Sequence, residues 1–355
     1  MIKVKREGIL LQKTHLDFEN DGVLNPAVLQ EGDTVHVFYR AVQMGNISTL
    51  GYCQLKGPLN VVSRHRKPVI TPEYTFESQG VEDARLTRID DKYYLTYTAY
   101  DGMNALGALA TSTDLVNWKK QGIIVPRITY DQFVQLAEHE DINEKYFRYH
   151  DVYTLFKNIP QKLYLWDKNV LFFPRRIRGR LYFLHRIRPG IQIVSVNELS
   201  ELNEVFWEEY LGDFYHHILM DPLHDHESSY IGGGCPPVET DAGWLLIYHG
   251  VKDTPTGYIY SACAALLDKD HPEKVIARLP YALLSPEEPW ERQGVVNNVI
   301  FPTGTAIFDN RLYVYYGGAD TCIGCFSVDL SALTEELLTY KNMTYDINSP
   351  TIQKQ

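Results

Sequence analysis

Glu82, Asp83 and Arg85 lie together in the run GVEDAR, Gly80 to Arg85, which leads into a strand pattern rich in tyrosine and threonine. A carboxyl group fixed at a strand end can hand a proton to a leaving oxygen. Cleavage of a glycosidic bond needs such an acid together with a nucleophile, water or phosphate, on the opposite face of the sugar. Asp83 is assigned as that acid. Asn25, Arg40, Lys168, Asn169, Arg186, Tyr230, His249 and Asp320 fall at comparable strand ends or in the Gly/Pro loops that enter them. Acids, cations, amides and tyrosines gathered in one pocket suit a polyhydroxylated ligand, whose hydroxyls need fixed donors and acceptors. Carbohydrate is the natural candidate, although the bare residues also fit an ion pair at a strand end with no chemistry.

A second group of titratable residues, His216, His217, Asp221, His224, Asp225, His226 and Glu227, crowds the stretch Phe214 to Tyr230. Such clusters can hold a metal. The H-x-H spacing of His224 and His226 has no partner motif, so no metal is assigned, and these groups are expected to line the pocket mouth or satisfy loop backbone.

The elements that must position these residues repeat. A polar residue, often with a proline, precedes a short apolar strand. A turn follows at Gly32-Asp33, Asp90-Asp91, Arg178-Gly179, Asp241-Ala242-Gly243 or Asp309-Asn310, and then a second strand. Five such units, roughly sixty residues apart, match the span of large propeller blades. Radial repetition of small antiparallel sheets leaves few exposed edges. The expected fold is therefore all-β, a five-bladed β-propeller spanning residues 1–355 as one domain, with strand ends converging on a central pocket. Lys3 to Lys13 reads as a strand that completes the last blade. The run STDLVNWK, Ser112 to Lys119, reads as an outer turn whose tryptophan packs. Residues 128–156 break the strand rhythm and read as a helical insertion, a lid or an oligomer contact. Leu330 to Leu338 reads as a helix starting at Ser331, and the tail beyond Tyr340 as an extended closing segment.

Composition narrows the function classes. The chain has 355 residues, 45% hydrophobic and 22% charged, enough apolar content for a large core. Twenty-five tyrosines suit sugar platforms as well as strand packing. A net charge of -11 argues against nucleic acid or an anionic membrane as partner, since both need a positive footprint. Five cysteines, an odd number, do not form a secreted disulfide framework, and the lone Cys322-x-x-Cys325 reads as buried thiols. No apolar run long enough for a membrane span and no signal peptide is visible, so a cytoplasmic location is expected, or a periplasmic one where a leader has been removed.

An ordered set of runs is more specific than any one of them. Asn25-Pro26, Gly80 to Arg85, KNVLFFP from Lys168, His185-Arg186, GGGCPP from Gly232, GWLLIYHG from Gly243, Phe301 to Gly304 and YGGAD from Tyr316 occur in sequence over nearly the whole chain. Together they resemble glycoside hydrolase family 130, the inverting β-mannoside phosphorylases and β-mannosidases built on a five-bladed β-propeller. The resemblance implies that Asp83 is the acid, delivering its proton through a sugar hydroxyl. It implies that Asn25, Arg40 and Asp320 hold the mannosyl unit, and that Arg186 and His249 belong to the phosphate site, with Lys168 where many members have arginine.

The departure from that pattern sets the expected reaction. Phosphorylases of the family carry a lysine directly before the I-G-x-G run, and this chain has Tyr230 there. A dianion in a dry pocket needs compensating charge, because desolvating it costs several kcal/mol or more. Glu227, three residues earlier, would repel phosphate and could activate water, as an inverting hydrolase requires. The expectation is an exo-acting β-mannosidase acting on β-1,2-linked mannosides, with Asp83 and Glu227 as the catalytic pair and Glu82, Arg85, Asn169 and Tyr230 among the sugar ligands. A phosphorylase holding phosphate with Lys168, Arg186 and His249 is the alternative, and inorganic phosphate is a co-substrate only there. A catalytically silent sugar-binding propeller is another. A furanosidase would need three acids on three blades, and Asp83 has no obvious partners for that. No cofactor is expected. The expected partner is a β-mannoside oligosaccharide, with a homo-oligomer compatible and neither nucleic acid nor membrane.

Overall fold

The computed structural model describes residues 2–137, 142–148 and 162–341. About half of the protein is strand and 16% is helix. The strands form antiparallel groups that follow the chain. The first sheet comprises Gly22–Glu31, Thr34–Gln43, Ile47–Lys56 and Asn60–Arg64. The second comprises Gly80–Ile89, Lys92–Tyr100, Ala105–Ser112 and Lys119–Ile123. The third runs Lys168–Phe172, Leu181–Arg186, Ile191–Val196 and Ile218–Met220. In the fourth, Tyr230–Gly233 and Val238–Thr240 both pair with Gly243–Thr254, followed by Gly257–Leu267 and Val275–Arg278. The fifth contains Ile300–Phe308, Arg311–Gly318 and Cys322–Asp329, and its outer strand is Val4–Gln12 from the start of the chain. One parallel bridge, Ser48 to Gly80, joins the first two sheets.

The five expected turns are all present, at residues 32–33, 90–91, 178–179, 241–242 and 309–310. They are local products of short polar or glycine pairs that accept a left-handed backbone, as at Gly32 (φ 59°), Asp90 (φ 54°) and Asp309 (φ 48°).

Five apolar clusters lie between neighbouring sheets: first with second, second with third, third with fourth, fourth with fifth, and fifth with first. The sheets thus follow one another round a closed circuit. Strand alternation builds it. In Gly243–Thr254, Trp244, Leu246 and Tyr248 pack toward the third sheet while Leu245 and Ile247 pack toward the fifth. A strand buried on both faces reads as an unbroken apolar run, which explains GWLLIY. Each such side chain contributes about 1.5–3 kcal/mol relative to exposure.

Val4–Gln12 closes the fifth sheet as expected. Trp118 meets Phe38 edge-on. All five cysteines are free and buried. The inserted region holds a helix, Tyr130–Ala137, and a 3-10 turn, Glu144–Tyr146. Tyr130, Phe133, Ala137 and Tyr146 are buried with Trp207, Tyr210 and Leu211 of the helix Glu204–Gly212 in the core between the second and third sheets. The rest of the expected insertion, residues 138–141 and 149–156, lies outside the described residues, as does the tail from 342 onward. The C-terminal helix spans Leu330–Thr339, but its cap is Asp329, which accepts from the Ala332 N–H, and not Ser331. Among the described residues no helix is long and apolar enough to cross a membrane.

Candidate active site

The opening strands carry irregularities at matching places. Register shifts fall between Leu24 and Ala27, Glu82 and Arg85, Lys168 and Leu171, and Pro302 and Gly304. A bulge re-aims the side chain it carries. In the first three strands the bulge holds Asn25 (φ 47°), Asp83 (φ 49°) and Asn169 (φ 55°) in the left-handed region. Asn and Asp tolerate that conformation where most side chains lose roughly 1–2 kcal/mol. Three sheets therefore present an amide, a carboxyl and an amide from equivalent points.

Asp83 accepts from Asn25 Nδ2 at 2.7 Å and from Arg40 Nη1 at 3.3 Å. Arg40 also donates to Glu82 Oε1 at 2.7 Å and to Ser48 Oγ at 2.9 Å, so Glu82 anchors the guanidinium that faces Asp83. Burial resists ionisation of Asp83, but Arg40, Lys168, the Asn25 hydrogen bond and Arg85 outweigh it and hold its carboxyl below the usual range. Asp320 (φ 55°) lies within the field of the same groups. Burial, reinforced by Asp83 and Glu82 against the pull of Arg40, pushes its carboxyl up to about 6. Two neighbouring carboxyl groups whose environments drive them apart mark a site equipped for proton chemistry.

The opposite flank is cationic. Lys168 pairs in register with Arg186. Burial lowers the Lys168 ammonium to about 8, with Glu82 and Asp83 pulling it up and Arg186 and Arg188 pushing it down. His249 is fully buried, and burial followed by the charges of Arg186, Arg85, Arg188 and Lys168 holds its imidazole well below its ordinary value. Neither ring nitrogen of His249, nor Asn169 Nδ2, has a hydrogen-bond partner among the described residues. Both groups border Gly232, where a Cβ would sit 2.6 Å from the His249 ring and 2.7 Å from Asn169 Nδ2. That clash is the reason for glycine at this point of the GGG run. Tyr230 completes the flank, its hydroxyl 2.7 Å from Tyr260 Oη and 3.2 Å from an Arg188 nitrogen. Buried donors and cations collected round a neutral histidine supply the charge and hydrogen bonds that an anion would need.

Two sequence assignments are corrected. Glu227 is not placed to activate water. It is fully buried and accepts from the backbone N–H of Leu223 (2.9 Å) and His224 (3.1 Å), from Tyr248 Oη (2.6 Å) and from Arg278 Nη2 (2.7 Å). The same arrangement recurs before three other sheets. Glu19 meets Tyr39 and Arg64, Glu77 meets Tyr97 and Lys120, and Glu291 meets Tyr316 and Arg6. Each glutamate ties a short helical turn to a tyrosine of the following sheet and to a cation from an outer strand or from the segment bordering one, so Glu227 belongs to the frame. His226, Glu227 and Cys263 offer ligand atoms within 4.8 Å of one another, but the glutamate oxygens already accept from four donors, one of them a guanidinium. Arg85 is the second correction. It is buried and donates to the backbone carbonyls of Gly234 (2.6 Å), Gly233 (3.2 Å) and Asp83 (2.6 Å), which makes it a strut between the second and fourth sheets.

Comparison with known proteins now bears on this geometry. Residues 9–338 match a family model described as beta-1,4-mannooligosaccharide phosphorylase. A 1,2-beta-oligomannan phosphorylase of Thermoanaerobacter sp. (strain X514) is 32% identical over 338 residues, covering 91% of this chain and 96% of the relative. The chain belongs to glycoside hydrolase family 130. A beta-1,2-mannobiose phosphorylase of the same strain, another relative of this family 130 protein, is also 32% identical, over 91% of this chain and 95% of its own. In fold, the family 130 chain resembles the beta-1,2-mannobiose phosphorylase of Listeria innocua in complex with beta-1,2-mannobiose, with a TM-score of 0.70, 22% identity, and 95% and 100% of the two chains covered. A further structure of similar fold was described with the finding that the family of mannoside phosphorylases contains glycoside hydrolases that target beta-1,2 mannosidic linkages in Candida mannan (TM-score 0.69, 21% identity, 92% and 93% covered).

Within this family 130 site, residue-by-residue reading of the sequence missed Arg188, Tyr260 and Ser48. Arg188 stands two places beyond Arg186 in HRIRPG, past the end of the strand pattern. Tyr260 and Ser48 lie within the strands Gly257–Leu267 and Ile47–Lys56, away from the turns and carboxylate runs that mark the other site residues.

Proposed function

We propose that this protein is an inverting β-mannoside phosphorylase. Inorganic phosphate attacks the anomeric carbon of a terminal β-mannosyl unit, the bond from that carbon to the bridging oxygen breaks, and a proton originating on Asp83 goes to that oxygen. Inversion makes the products α-mannose 1-phosphate and the released sugar. The observation that carries this reading is the set of cations, Lys168, Arg186, Arg188 and Arg85, acting on the buried neutral His249. Cations buried together repel one another unless an anion offsets them. The hydrolytic expectation loses its base, because Glu227 is engaged by four donors elsewhere. Asn25, Arg40 and Asp320 would hold the mannosyl unit beside Asp83, with Asn169 between sugar and phosphate. A β-1,2 linkage is the version favoured by the two Thermoanaerobacter relatives. We read the closed circuit of sheets as a five-bladed β-propeller formed by the chain as one domain.

The test is product analysis on β-1,2-mannobiose with and without phosphate. Mannose 1-phosphate is expected in its presence and no turnover in its absence. Release of free mannose at an equal rate without phosphate would return the protein to the hydrolases.

Lys168 adds a pH signature. Its ammonium, lowered to about 8 by burial, loses charge as pH rises past that value. Phosphate is a dianion throughout that range, so the KM for phosphate is expected to climb by up to about tenfold per pH unit above it. Lys168→Arg keeps its charge at every accessible pH. The climb should disappear in that variant, and its persistence there would remove Lys168 from the anion site.

A further inference from the structure

We propose that Arg188 is a phosphate ligand that takes over the charge missing at position 230, held in place by the inserted segment. This rests on the phosphorylase reading above. Arg188 lies just beyond the strand Leu181–Arg186. Its guanidinium carbon is 4.1 Å from the centroid of the Tyr230 ring and one of its nitrogens is 3.2 Å from the Tyr230 hydroxyl. The Arg186 guanidinium carbon is 5.3 Å from the same centroid. One tyrosine, where a lysine would have supplied charge, instead supports two guanidinium groups through cation–π contact. The charge of Arg188 also bears on Lys168 and on His249, so it acts on the same space.

The turn that carries Arg188 is built to hold it. The Gln192 side chain accepts from the Ile187 N–H at 2.6 Å and donates to the Ile187 carbonyl at 3.1 Å. The Pro189 carbonyl accepts from the Ile231 N–H at 2.9 Å, tying the turn to the strand of Tyr230. Gly190 has no room for a side chain: a Cβ would stand 2.3 Å from both Asp221 Oδ1 and Tyr146 Oη. Tyr146 itself, from the insertion, donates to Asp221 at 2.7 Å and accepts from Gln192 at 3.1 Å. The insertion thus buttresses the turn on which Arg188 stands. A guanidinium offers phosphate two parallel hydrogen bonds, which a lysine at position 230 could not.

Arg188→Gln is expected to raise the KM for phosphate about 10- to 100-fold while leaving the KM for the mannoside within about twofold. Calorimetric binding of inorganic phosphate, without sugar, should weaken by the same factor. Arg188→Lys, which keeps charge but not the planar fork, should fall between the two. The double change Arg188→Gln with Tyr230→Lys should recover much of the phosphate affinity. Unchanged phosphate affinity in Arg188→Gln overturns the proposal. So do equal losses in the Gln and Lys variants accompanied by a lowered melting temperature, which would mark a structural role. Turnover without phosphate by the wild type, combined with phosphate binding that still depends on Arg188, would overturn the phosphorylase reading and leave this one standing. No phosphate binding by the wild type would end both.

Discussion

Asp83→Asn is expected to lower turnover by about 10²–10⁴-fold with the mannoside still bound. Asparagine keeps the shape of the side chain and can still accept from Asn25 Nδ2 and Arg40, the contacts that fix position 83. What it removes is the transferable proton. The loss should therefore fall on kcat and on kcat/KM alike, the signature of an interaction made in the transition state. A mannoside whose leaving group departs without protonation should recover most of the lost rate. The direction of the Asp83 shift adds a second condition. In the free site Arg40, Lys168 and Asn25 keep the carboxyl ionised, the form that accepts a proton when the reaction runs toward synthesis. Phosphate bound beside Lys168 offsets one of those charges and raises the carboxyl toward the protonated form needed for cleavage. Turnover of Asp83→Asn within a few-fold of wild type would show that another group supplies the proton.

Glu227→Gln separates frame from chemistry by the opposite pattern, a large loss of stability with the turnover of the folded fraction retained. The carboxylate accepts from four donors, and an amide must turn its own N–H groups toward at least one of them. Breaking a buried, charge-paired group on one side costs about 3–5 kcal/mol, which in a chain of this size lowers the melting temperature by on the order of 5–10 °C. Arg278 is left buried without its counter-charge, at 3% exposure. Glu291→Gln should behave similarly, since Glu291 holds Arg6, Tyr316 and two backbone N–H groups. A variant Glu227→Gln that melts with wild type and has lost its turnover would restore the catalytic assignment.

Glu227 also shows where sequence reading stops. Its proximity to Tyr230 in the chain suggests proximity to the anion, but Glu227 ends a 3-10 turn, Asp225–Glu227, and its carboxylate folds back onto the N–H groups of Leu223 and His224. The partners that determine its aim lie 21 and 51 residues onward, at Tyr248 and Arg278. A trace of the frame was legible. Glu19 to Tyr39 and Glu77 to Tyr97 are each separated by 20 residues, a repeat whose glutamates lie outside the strand ends. Arg85 misled for a similar reason, since the carbonyls of Gly233 and Gly234 that occupy it belong to a sheet some 150 residues away in sequence.

The sequence by itself determined the strand pairs that flank the five turns, the closing role of Val4–Gln12, the family, and the residues Asn25, Arg40, Asp83, Lys168, Arg186 and His249 that come together at the site. These follow from local rules: period-two burial, turn residues that accept a left-handed backbone, and Asn or Asp at a bulge. Only the tertiary structure decided which carboxylates are free to react and which are bound into the frame, and it alone brought Arg188 onto Tyr230. Such choices depend on the direction of a side chain and on the sum of charges around it. Both are set by neighbours that only closure of the sheets brings within a few ångströms, where burial makes each charge count far more than it would in water.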